Sequence, residues 1–170
     1  MFDNIIQDRI ANSKSINHAG FRVLLVYRFG RWRMEVRNKL IRAPLSFIYR
    51  IMEKHVRFKY GIELPYSCCI GQQLTIEHQH GIVIHGNAKI GSFCVIRQGV
   101  TIGNKTTTSP HEAPTIGDHV NIGAGAKLLG NIVIGNYVTI GANAVVVTDL
   151  PDYAVAAGIP AKIIKINSHL

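Results

Sequence analysis

The sequence offers little from which to build a cross-linked or membrane-spanning protein. Its three cysteines, Cys68, Cys69 and Cys94, are odd in number, and two of them are adjacent. That excludes a disulfide framework, and no spacing resembles a zinc finger; reduced, buried thiols are expected. Apolar runs are short and interrupted by Arg22, Arg28 and Arg50, so none reaches the roughly 20 residues of a membrane span. No charged segment followed by an apolar one opens the chain, so no signal peptide is expected and the protein reads as cytoplasmic. Acidic residues are also scarce, 10 against 19 Lys and Arg in 170 residues, a formal charge of +9. A balance that basic points to nucleic acid, an anionic membrane or a phosphate-bearing ligand. Disorder is excluded, because 47% of the residues are apolar.

The charge is unevenly placed. Residues 1–60 hold 13 Lys and Arg with 4 Asp and Glu, whereas residues 61–170 hold 6 of each. Glycine divides the other way, with 2 of 16 in the first stretch. The seam falls near Tyr60 and Gly61. Before it, Phe21, Leu24, Leu25, Phe29 and Trp32 have helical spacing with Arg28 as a break and arginines on the other face. Asn12 to Ser15 could cap a helix, and Pro44 reads as the first turn of another, through Leu45, Phe47, Ile48, Ile51, Met52 and His55. Two basic amphipathic helices are therefore predicted, in a basic helical region over 1–60.

The remainder is a repeat. Ile70, Ile76, Ile82, Ile90, Ile96, Ile102, Ile116, Ile122, Leu128, Ile134, Ile140 and Val146 recur mostly every six positions, and glycine often follows. The period fits short strands joined by tight corners in a solenoid, three hexads to a triangular coil. Phase breaks are expected between Ile82 and Ile90, and between Ile102 and Ile116. The second inserts the polar, breaker-rich stretch 104–115, which should leave the wall as a loop. A solenoid is thus predicted over 61–155. Residues 156–170 lose the rhythm and are expected to cap it.

Residues 62–166 resemble the hexapeptide-repeat acyltransferases, and the serine acetyltransferase branch most. The matching stretches start at Thr75 (Thr-Ile-Glu-His-Gln-His-Gly-Ile-Val-Ile), Gly99 (Gly-Val-Thr-Ile-Gly), Ile122 (Ile-Gly-Ala-Gly-Ala-Lys-Leu-Leu-Gly-Asn) and Ala157 (Ala-Gly-Ile-Pro-Ala-Lys). The short N-terminal part, with Tyr27-Arg-Phe-Gly and Ala43-Pro-Leu-Ser-Phe, is similar in layout to bacterial exopolysaccharide acetyltransferases of the colanic acid type. The resemblance implies a left-handed parallel β-helix, acetyl-CoA as co-substrate, and a homotrimer with sites between subunits.

It also implies roles. His78 matches the general base, which suits a side chain that titrates near neutrality. Glu63, fifteen residues earlier, matches a carboxylate that orients the base, and Glu77 matches an acid that contacts the acceptor. The backbone N–H of Asn104 matches the donor to the thioester oxygen. Ala124 and Ala142 match small residues along the pantetheine groove, and Lys162 is placed to meet coenzyme A phosphates.

One departure shifts the expected acceptor. Serine acetyltransferases end the loop in Arg-His-Pro and hold the serine carboxylate with that Arg and His. This chain has Glu112-Ala113-Pro114, with His111 nearby. A glutamate repels a carboxylate. A sugar hydroxyl in surface polysaccharide synthesis is therefore the expected acceptor, with His111 and Glu112 near it. Serine O-acetylation and an inactive β-helix scaffold are the alternatives. The basic helices suggest peripheral contact with anionic lipid. No nucleic acid is expected, since no aromatic strand motif accompanies them. No metal is expected either, since His78, His80 and His85 lack a Cys or Asp at tetrahedral spacing.

Overall fold

A computed structural model describes residues 2–168. Three helices come first: α1 (Phe2–Ala11), α2 (Ala19–Glu35) and α3 (Lys39–Tyr60). Short strands follow: β1 (Ile62–Glu63), β2 (Cys69–Ile70), β3 (Thr75–Glu77), β4 (Ile82–Ile84) and β5 (Lys89–Ile90). Next are β6 (Val95–Arg97), β7 (Thr101–Gly103), β8 (Thr115–Ile116), β9 (Asn121–Ile122) and β10 (Lys127–Leu129). The last are β11 (Val133–Ile134), β12 (Thr139–Ile140), β13 (Val145–Val146), β14 (Ala154–Gly158) and β15 (Ala161–Ile166).

Every third strand stacks on the next coil. Face A is β1-β4-β7-β10-β13, face B is β2-β5-β8-β11, and face C runs β3-β6-β9-β12-β14-β15. All pairings are parallel except the closing β14 and β15 hairpin. The inward hexad residues, such as Ile76, Ile96, Ile122 and Ile140, are buried because each coil hides its apolar edge on its neighbours. The fold is the expected one: mainly β, a parallel solenoid with a short helical N-terminal region.

Register relocates the first phase break. Ile76 pairs with Ile96 and Ile84 with Ile102. The path from 76 to 84 therefore spends eight residues where the path from 96 to 102 spends six. The two extra residues lie within 77–81, in the corner that carries His78 and His80, and not between Ile82 and Ile90. Ile82 and Ile84 both point inward and are both buried, so the sequence pattern does not tell which one keeps the phase. The second break is where expected. The loop leaves face A after Gly103 and rejoins face B at Thr115.

The helices correct three expectations. Residues 2–11 are already helical. The third helix starts at Lys39, where the Asn38 side chain accepts the Leu40 N–H at 2.9 Å, so Pro44 lies inside it. It stops at Gly61, whose φ of +61° is left-handed and whose N–H reaches the Arg57 carbonyl. Arg28 is no break toward solvent. Its side chain is 6% exposed and forms a two-pronged pair with Asp8, which is 1% exposed, at 2.8 and 3.3 Å.

That pair joins α1 and α2 to the first coil. Arg28 also donates to the Ile70 carbonyl at 3.0 Å and to that of Gly71. Asn12 donates to the Leu74 carbonyl at 2.8 Å and accepts the Ile76 N–H at 3.1 Å. The Tyr27 hydroxyl donates to the Cys68 carbonyl and accepts the Ile70 N–H. Backbone groups on the open edge of β2 and β3 thus end on helical side chains. Burial pushes the Asp8 carboxyl up, and its bond to Arg28 acts the other way. Burial also lifts the Cys68 thiol to about 12 and the Cys94 thiol to about 11. Cys69, by contrast, is exposed.

Asp8→Ala leaves the Arg28 guanidinium buried without its carboxylate. Urea denaturation should show a loss of about 3–5 kcal/mol. A loss under about 1 kcal/mol would mean that the pair does not hold the helices to the solenoid.

Candidate functional site

The corner between faces C and A repeats in every coil. His78 (φ +55°), His80 (φ +88°) and Gly81 (φ +71°) form it in the first coil. Gln98 and Gly99, Ala124 and Gly125, then Ala142 and Asn143 form it above. The Gly99 N–H donates to the His80 carbonyl at 3.0 Å, that of Gly125 to Gln98 at 2.8 Å, and that of Asn143 to Ala124 at 2.8 Å. At Gly99 the φ of +73° is one that L side chains rarely adopt, and the Gly125 Cα, 3.3 Å from where a Cβ would stand, would crowd a side chain. Coils therefore approach closely here, and the two extra residues of the first coil stand out from the edge.

The structure brings His78, Glu77, Ala124 and Ala142 to this one edge. His78 is exposed. Among the described residues it makes no hydrogen bond, ion pair or ring contact. Glu77, just before it, is bound by Arg97: Nε stands 2.9 Å from Oε2, and the side chains are 30% and 43% exposed for Arg97 and Glu77. Arg97 also donates from Nη1 to the Asn121 Oδ1 at 2.5 Å. Lys162 lies in β15, paired with Ala157, at the opposite end of face C. Five strand spacings separate β3 from β15, about 24 Å, enough for an elongated ligand laid along the edge.

Other predicted residues stand elsewhere. Glu63 faces outward on face A, with its carboxylate 4.0 Å from the Arg57 guanidinium and both side chains about half exposed. Among the described residues no hydrogen bond joins Glu63 to His78. Asn104, His111 and Glu112 sit at the other border of face A, on the loop. The Asn104 side chain donates to the Thr106 carbonyl at 2.7 Å, and its φ is not left-handed, so an asparagine there carries no such strain. The Glu112 N–H donates to the Ser109 carbonyl, and the His111 carbonyl accepts from Asn87 at 2.9 Å. Loop and wall enclose an open groove of about 500 Å³ that also includes Lys89.

Two cations near these positions, Arg97 and Lys89, were missed by the sequence reading. For Arg97 a signal existed: it follows Ile96 as Glu77 follows Ile76, so the two share a column. Among the described residues no group of three or more His, Cys, Asp or Glu side chains is placed to hold a metal.

Comparison with known proteins fits this geometry. Residues 113–148 match the family described as bacterial transferase hexapeptide (six repeats). A serine acetyltransferase of Synechococcus elongatus is 37% identical over 147 residues, which cover 86% of this chain and 57% of that protein. The chain thus spans less than two thirds of this curated relative. Among solved structures, a truncated serine acetyltransferase apoenzyme superimposes with a TM-score of 0.77 at 30% identity, covering 95% of this chain and 67% of the other. Serine acetyltransferase from Brucella abortus in complex with coenzyme A gives 0.82 at 25% identity, covering 98% and 68%. The chain belongs to the hexapeptide-repeat acyltransferases, and its solenoid is their left-handed parallel β-helix.

These relatives overturn the expected sugar acceptor. They are serine acetyltransferases, the branch first set aside on Glu112 and Ala113. The expectation rested on the loop alone, and a cation absent from one loop does not exclude a cation elsewhere on the wall, such as Arg97, which pairs with Glu77 on the neighbouring coil.

Proposed function

We propose that the protein transfers the acetyl group of acetyl-CoA to the hydroxyl of L-serine. The observation that carries the reading is the edge where exposed His78 follows Glu77, which Arg97 binds, on the corner that Ala124 and Ala142 continue in later coils. The names of the relatives and the coenzyme A complex of one of them support it. His78 takes the proton of the serine hydroxyl as the oxygen attacks the thioester carbonyl. The backbone N–H of Asn104 stabilises the negative oxygen that develops. The C–S bond breaks, and the leaving thiolate takes the proton from His78, giving O-acetylserine and coenzyme A. Glu63 steadies the imidazolium once it turns from Arg57. Ala124 and Ala142 let the pantetheine arm lie close to the backbone, and Lys162 meets its phosphates.

His78 and the loop with Asn104 occupy different borders of face A, so a site that uses both draws them from neighbouring copies. A homotrimer is the assembly proposed. Light scattering should give three times the chain mass, and a monomer would remove the composite site.

For the third helix we propose a lipid-facing role. No helix among the described residues is long and apolar enough to cross a membrane. Leu40, Phe47, Ile51 and Phe58 are nevertheless exposed along α3 at 85%, 66%, 56% and 75%. Lys39, Arg50, Lys54, Arg57 and Lys59 flank them. Such a stripe suits the surface of an anionic bilayer. Sedimentation with phosphatidylglycerol vesicles at low salt, and none with phosphatidylcholine, is expected; equal recovery with both would count against it.

The decisive assay measures coenzyme A release with L-serine. His78→Ala should lower turnover at least about 10²-fold while calorimetry shows acetyl-CoA still bound. Loss of binding in the intact protein would favour the scaffold alternative.

A further inference from the structure

Glu77 and Arg97 form an unusual feature for an outer wall: an isolated, opposite-charge pair immediately beside the proposed base. They face each other in register on β3 and β6. Arg97 Nε stands 2.9 Å from Glu77 Oε2. Neither charge is sealed off, since the side chains are 30% and 43% exposed. Asn121 accepts from Nη1 of Arg97, on the side away from β3, so the guanidinium is held from behind. Such an exposed pair contributes little to stability. The loop, on the other hand, carries Glu112, a side chain that would repel a carboxylate rather than hold one.

We infer that Arg97 is the receptor for the α-carboxylate of the acceptor, working beside Glu77, the acid that the resemblance already sets against the acceptor. Arg97 takes the α-carboxylate, Glu77 takes the α-ammonium, and the side-chain hydroxyl is left facing His78. The inference rests on the serine reading above and assigns the specificity that the loop does not supply. An α-amino acid carries one positive and one negative group on a single carbon. It therefore replaces the internal pair charge for charge and leaves no unpaired ion at the site. The planar guanidinium suits a carboxylate better than an ammonium would, because it offers two parallel donors. A neutral polyol has no charge to exchange with the pair and gains nothing from opening it.

The test uses Arg97→Leu and Arg97→Lys in the full chain, with L-serine and with ethanolamine, which lacks the carboxylate. Arg97→Leu should raise KM for L-serine roughly tenfold or more, with KM for acetyl-CoA and the melting temperature unchanged. Arg97→Lys should recover part of the loss. Turnover of ethanolamine should not fall in Arg97→Leu, because Glu77 is then free to take its ammonium, so the preference for serine shrinks. Calorimetry of L-serine binding should show the same weakening without turnover. If wild type acetylates serine and Arg97→Leu keeps its KM, this inference falls and the serine reading stands. If Arg97→Leu weakens serine and ethanolamine equally, the residue is structural and the inference also falls. If wild type neither binds nor acetylates serine, both fall together.

Discussion

A parallel solenoid has one unavoidable problem: its first and last coils present open backbone edges. The buried pair of Asp8 and Arg28, with Asn12 and Tyr27, solves it at the beginning of this chain. These side chains do not simply pack on the wall. They take the place of the strand that the first coil lacks, donating to the carbonyls of Cys68, Ile70, Gly71 and Leu74 and accepting the N–H groups of Ile70 and Ile76. A charge pair nearly sealed from water is a costly way to do this, and it works only because each of its atoms has a partner. At the other end β15 turns back antiparallel on β14 and closes face C. The register of every coil between is then set by the inward column of isoleucines.

The site follows from how the coils meet at one edge. Gly81, Gly99 and Gly125 stack there with nearly equal left-handed φ values of +71°, +73° and +73°, which brings backbones together and leaves the edge bare. At this edge the first coil is longer than the next by two residues, and His78 on the lengthened corner is exposed. A histidine on a flat strand would lie against its neighbours. Raised on the corner, it meets solvent and any ligand that follows the bare edge. The insertion, the exposed imidazole and the small residues at Ala124 and Ala142 thus form one arrangement.

Much of this was legible in the sequence, and the gaps have identifiable causes. The hexad period revealed the solenoid because one inward position of each hexad is filled by Ile, Leu or Val, and the loop was visible because 104–115 contains none of these. The position of the first phase break was not legible, since Ile82 and Ile84 are both apolar and both buried. Arg28 read as a break because its partner, Asp8, lies on another helix, and helical spacing says nothing about neighbours that distant. Pro44 read as a helix start because proline favours first turns, yet Asn38 offered the better cap. His78 and the alanines came from the resemblance, and the structure places them on one edge. Glu63 came the same way but faces Arg57.

The acceptor shows where motif reasoning stops. Inward residues of a coil are constrained on all sides, whereas outward ones contact only the same column of the next coil. A charged group that recognises substrate can therefore move from a loop to a neighbouring strand without disturbing the core. Comparing the loop alone asks whether one position kept its charge. The chemistry asks whether some cation lies within reach of the base. Glu77 and Arg97 are twenty residues apart in the chain and 2.9 Å apart in space, because one coil of this particular length lies between them. Specificity in such a wall is thus a property of columns. It is read from register: Arg97 follows Ile96 as Glu77 follows Ile76, so the two stand in one column although the corner between them is two residues longer than its counterpart in the next coil.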